Sequence, residues 1–83
     1  MAIVSGAPTT LSKEEIEKVK ALVLRYLQDH NRITNRLLRE LSGIAYDQAI
    51  YFFRQMIKQE LLDRIGTTSN IHYVLSERGL KKQ

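Results

Sequence analysis

Through residues 12–58 the apolar side chains of this sequence recur at spacings of three and four, and beyond residue 58 that period is lost. A chain that switches from the helical period to short β-branched and aromatic runs can form helices followed by strands, a mainly α arrangement with a small β-hairpin, α+β in class. With 83 residues it makes one domain, because domains of this size cannot divide their core. Leu, Ile, Val and Phe supply 25 of those residues, above the roughly 20% below which chains stay disordered. The chain folds, with little stability to spare.

The helical part divides in three. Ser12 and Glu15 form a capping box ahead of Ile16, Val19, Leu22, Val23, Tyr26 and Leu27, which predicts a helix of about 17 residues with one apolar stripe. Its other face, with Lys13, Glu14, Glu17, Lys18, Lys20 and Arg25, is a solvated one. Asp29, His30 and Asn31 break the pattern, and Ile33 then stands alone as a strand of one or two residues or as a core plug. Thr34 is the N-cap expected for a short helix through Leu37, Leu38 and Leu41, stopped at Gly43. A further helix starts at Ala45, with Ala49, Ile50, Phe53, Met56 and Ile57 inward and Asp47, Gln48, Tyr51, Arg54, Gln55 and Lys58 outward. Phe52 lies about 100° round the helix from Phe53, partly buried under the first helix or, if exposed, a partner contact. Residues 61–65 and 71–75 read as the strands of a hairpin around Gly66, Thr67, Thr68, Ser69 and Asn70. The domain is expected over 11–76, with 1–10 a tail or linker and 77–83 a tail or a single helical turn.

Several classes of function are disfavoured by composition. Without Cys there are no disulfides, thiolate metal sites or cysteine nucleophiles, and His30 and His72 stand far apart. GTTSN lacks the Lys and following helix of a phosphate-binding loop, and no Ser, His and Asp set has the context of a triad. No enzyme, metal, cofactor or small-molecule ligand is expected. The longest apolar run, 49–53, is far shorter than the ~20 residues of a membrane span, and residues 1–10 lack the basic start of an export signal. A cytoplasmic protein with no membrane partner is therefore expected, and the small size suggests a piece of a longer one.

The net charge is +4, unevenly spread. Residues 1–31 hold four charges of each sign, whereas residues 32–83 hold nine positive and five negative. A local basic excess favours nucleic acid or an acidic protein surface over a neutral metabolite.

The segment ITNRLLRELSGIAYDQAIYFFRQMIKQELL at 33–62, with the hairpin DRIGTTSNIHYVLS at 63–76, resembles the winged helix-turn-helix superfamily. The resemblance covers about residues 12–76. It implies three helices and a wing in the order helix, short strand, helix, helix, strand, wing, strand. It further implies double-stranded DNA as partner and transcriptional regulation as the role, with the helix at about 46–59 in the major groove and the wing at 66–70 on the backbone or in the minor groove. A finer likeness is to the winged-helix units that end bacterial ATP-binding, helicase-like regulators. Two positions depart from the family's pattern. Ala45 stands where a Ser or Thr caps the recognition helix, at a cost of roughly 1 kcal/mol, and Glu60 stands where Gly hands that helix over to the strand, a strained place for a side chain at positive φ.

The residues support the same reading directly. Reading a major groove needs one helix face of hydrogen-bonding groups held by an apolar opposite face. Gln48, Tyr51, Arg54 and Gln55 are the expected base-contacting residues. Asn35, Arg36, Arg39, Tyr46, Lys58 and Arg64 are expected on the backbone, with Thr67, Thr68, Ser69 and Asn70 of the wing. The same residue types also describe a plain solvated face, and Asp47 is an anion that sits poorly beside phosphates. The alternative is a winged helix that docks a protein partner or its own copy through Tyr51, Phe52 and the aliphatic edge of the first helix, without DNA.

Overall fold

A computed structural model describes residues 10–76. Within them lie three helices, α1 (Lys13–Asp29), α2 (Asn35–Ser42) and α3 (Tyr46–Lys58), then strands β1 (Leu62–Ile65) and β2 (His72–Leu75) around a single 3-10 turn at Thr68–Asn70. The mainly helical α+β class is as the periodicity predicts. The expectations for 1–9 and 77–83 lie outside the described residues.

The caps set the helix boundaries. At α1, Glu15 N–H donates to Ser12 Oγ at 3.1 Å and Ser12 N–H to Glu15 Oε1 at 2.9 Å, so two orphan donors are satisfied reciprocally. These Ser12 contacts, the backbone N–H first, hold the Glu15 carboxyl below its ordinary value of 4.5. At α2, Leu37 N–H donates to Thr34 Oγ1 at 3.1 Å, and Gly43 ends the helix at φ +78° with its N–H on Arg39 O at 2.8 Å. Only Gly43, Ile44 and Ala45 then separate α2 from α3.

The exit from α3 departs from the usual glycine. Leu61 N–H donates to Met56 O and Glu60 N–H to Ile57 O, both at 2.9 Å, the two bonds of a Schellman motif, with Glu60 in the left-handed residue's place at φ +63°. A glutamate therefore holds the conformation that its side chain disfavours.

The hairpin is antiparallel, pairing Leu62 with Leu75, Asp63 with Val74, Arg64 with Tyr73 and Ile65 with His72. Each strand is one residue shorter than expected, and Ser76 N–H adds a bond to Leu61 O at 3.0 Å. Ile33 is not a strand of its own: it makes an isolated bridge to Tyr73, exchanging both backbone bonds at 2.9 and 2.8 Å. Its side chain is also fully buried, so it plugs the core as well.

Leu11, Val19, Val23, Leu27, Ile33, Leu38, Ala49, Phe52, Phe53, Met56 and Leu62 make the core. On α3 this places Ala49, Phe52, Phe53 and Met56 inward, while Ile50 is half-buried and Ile57 is 37% exposed. The expectation of an inward Ile50 and Ile57 is thus corrected. Phe52 and Phe53 meet edge to face, and Phe53 stacks on Tyr73 with ring centroids 3.7 Å apart, so the core face of α3 rotates towards the Phe pair and away from Ile57.

Candidate nucleic-acid interface

The core rotation of α3 leaves a groove of about 730 Å³ between the start of α2, the length of α3 and the hairpin. Thr34, Asn35 and Arg36 form one wall, Tyr46, Ile50, Phe53, Arg54 and Ile57 the floor, and Arg64, Ser69, Ile71 and Tyr73 the other wall. Three arginines from three different elements converge here, and among the described residues no carboxylate lines the groove. Such a surface carries positive potential wherever a phosphate or carboxylate partner would lie.

The groups in it are held in order. Burial is the main influence pushing the Tyr73 phenol above its ordinary 10.0, and the Arg64 guanidinium on the paired strand residue pulls it back, so the hydroxyl stays protonated at neutral pH. Tyr46 and Arg54 also act on this phenol. On α2, Arg39 Nε donates to Asn35 Oδ1 at 2.7 Å and its guanidinium lies 5.3 Å from the centroid of the Tyr46 ring, a cation–π distance. Arg36 pairs with Glu40 at 3.3 Å, both side chains largely exposed, a pairing weak enough to yield to a competing anion.

Comparison of the chain with protein-family models, with curated proteins and with solved structures gives no match. The site therefore rests on its own geometry.

That geometry gathers Asn35, Arg36, Tyr46, Arg54, Arg64 and Ser69 from the expected contacts into one groove. Arg39 stands behind it, bonded to Asn35, and Lys58 is exposed at the end of α3. Thr67 and Asn70 are exposed in the loop, where Asn70 N–H donates to Thr67 O and Asn70 O accepts from His72 Nδ1 at 3.0 Å. Thr68 opens the 3-10 turn. Tyr51 and Gln55 are half-buried outside the groove.

Gln48 has a different task. Its Oε1 accepts from Ala45 N–H at 2.9 Å and its Nε2 donates to Thr10 O at 3.3 Å. Ala45 has no oxygen to return the bond, so Gln48 supplies half a capping box from inside the helix and its amide is already engaged. Phe52 also changes role: with no exposed surface it offers nothing to a partner, and the docking face expected at Tyr51 and Phe52 reduces to a half-buried Tyr51. Ile50 and Ile57 were missed as groove residues. Their signal was present in the position of Arg54, four residues after one and three before the other, which puts all three on one side of a helix.

Neither histidine gathers a metal site, and among the described residues no three His, Asp or Glu side chains do so. His30 stacks on Tyr26 with centroids 4.0 Å apart and donates through Nδ1 to Tyr26 O at 3.1 Å, closing α1. Among the described residues no helix is long and apolar enough to cross a membrane.

Proposed function

We propose that this domain is a double-stranded DNA-binding module of the winged helix-turn-helix kind, with α3 in the major groove and the hairpin loop against the backbone or minor groove. The observation that supports it best is the three-arginine groove, framed by α2, α3 and the hairpin and lined by no carboxylate among the described residues. Arg36 of α2, Arg54 of α3 and Arg64 of β1 bring three cations to one groove, a set that suits a run of phosphates better than one carboxylate. Ser69 and Asn35 add neutral contacts on the two walls. Transcriptional regulation is the role such a module serves.

The test is a backbone-amide NMR titration with a short duplex of mixed sequence at low and then moderate salt. Shifts should gather on residues 34–39, 46–58 and 64–71 and fade as salt rises. Binding that neutralises four or five phosphates gives a log–log salt slope of about −4, and Arg36→Ala or Arg64→Ala each reduces its magnitude by about 1. Absence of shifts at low salt would overturn the proposal, and binding insensitive to salt would point to a protein partner.

A further inference from the structure

The floor of the groove is less polar than a surface built only for phosphates. Along α3 the groove receives Ile50, Arg54 and Ile57, about one turn apart, so that Arg54 is bracketed by two aliphatic side chains. Ile57 keeps 37% of its surface exposed and Ile50 is half-buried. The amide of Gln48, which would otherwise read an adenine edge, is committed to Ala45 N–H and Thr10 O. The stretch of α3 that lines the groove from residue 50 to 57 thus sets Arg54 between two aliphatic side chains.

In a major groove the apolar group presented by an unmodified base is the C5-methyl of thymine, and 5-methylcytosine places the same methyl at the same edge. From the exposed Ile57 and the half-buried Ile50 that flank Arg54 in the groove we infer that α3 recognises pyrimidine C5-methyl groups, Ile50 and Ile57 packing on methyls to either side of the base that Arg54 contacts. This rests on the DNA-binding proposal and adds the sequence feature being read. Removing a methyl from each contact costs about fourfold in affinity, so loss of both costs roughly fifteenfold.

Fluorescence anisotropy on two duplexes, identical except that deoxyuridine replaces every thymidine in one, isolates the methyl. The wild-type chain should bind the thymine duplex roughly fifteenfold more tightly. Ile57→Ala, at an exposed position, should reduce that ratio to about fourfold, while Arg54→Ala should weaken both duplexes and leave the ratio unchanged. Placing 5-methylcytosine in the uracil duplex distinguishes the sources: regained affinity shows that either pyrimidine's methyl is accepted, and no gain assigns the contact to thymine. Equal affinity of the wild type for the thymine and uracil duplexes overturns the inference and leaves DNA binding standing. No binding to either at low salt overturns both.

Discussion

Three residues of the described chain hold positive φ, and their substitution should give three different results. At Gly43 an added Cβ meets nothing within 4 Å, so Gly43→Ala carries only the backbone cost, about 1 kcal/mol, read as a shift in the urea midpoint. At Gly66 the same Cβ would collide with the Asn70 carbonyl, its carbon at 2.9 Å and its oxygen closer, and backbone cannot swing aside. Gly66→Ala should therefore destabilise by at least about 2 kcal/mol and displace the amide resonances of the loop. Glu60→Gly should act in the opposite direction, raising stability by roughly 0.5 to 1 kcal/mol because the Schellman exit of α3 already has the shape that glycine prefers. Glu15 adds a pH effect. Its carboxyl titrates lower in the folded chain than in the unfolded one, so its contribution is present above the ordinary 4.5 and is lost as pH falls through the folded value. Thermal unfolding of Glu15→Gln should show a smaller loss of Tm on acidification below that pH than the parent does.

The helices differ in how they are capped, and α3 is the weakest. Its N-cap backbone is extended, at φ −78° and ψ 163°, which suits Ser or Thr, yet Ala45 supplies no side-chain acceptor. Ala45→Ser should raise stability by about 1 kcal/mol without altering charge in the groove, whereas Gln48→Ala should lower it by a similar amount, both measured by chemical unfolding. Element boundaries were legible because caps are local: Ser12 with Glu15, Thr34 and Gly43 each announce themselves within four residues. The rotation of α3 about its axis was not legible. Residues 49–53 read Ala, Ile, Tyr, Phe, Phe, an unbroken apolar run that fits two core stripes, one through Ala49, Phe53 and Met56 and one through Ile50, Phe53 and Ile57. Full burial of Phe52 beside Ala49 and Met56 marks the first as the core stripe, which leaves Ile50 and Ile57 to line the groove.

Across the whole molecule one aromatic centre joins the parts. Phe53 touches Phe52 within α3 and Tyr73 in β2, so truncating it empties the contact between helix and hairpin. Phe53→Ala should cost about 3 to 5 kcal/mol, comparable to the total stability a core of this size provides, and circular dichroism should find the chain largely unfolded. Tyr73 has a second tie, through its backbone to Ile33 in the segment between α1 and α2. No local sequence signal pairs Ile33 with Tyr73, because the two are forty residues apart and the bridge has only one residue on each side. Its consequence concerns motion. Because the two amides sit in one reciprocal pair and on opposite sides of the α2–α3 unit in the chain, neither can reach solvent unless the hairpin parts from the helices. Their deuterium exchange should therefore be slow and matched, with a common opening free energy close to that of global unfolding, while amides at 67–70 exchange through small local openings. The base of the hairpin is clamped to the helical body through the Ile33–Tyr73 pair.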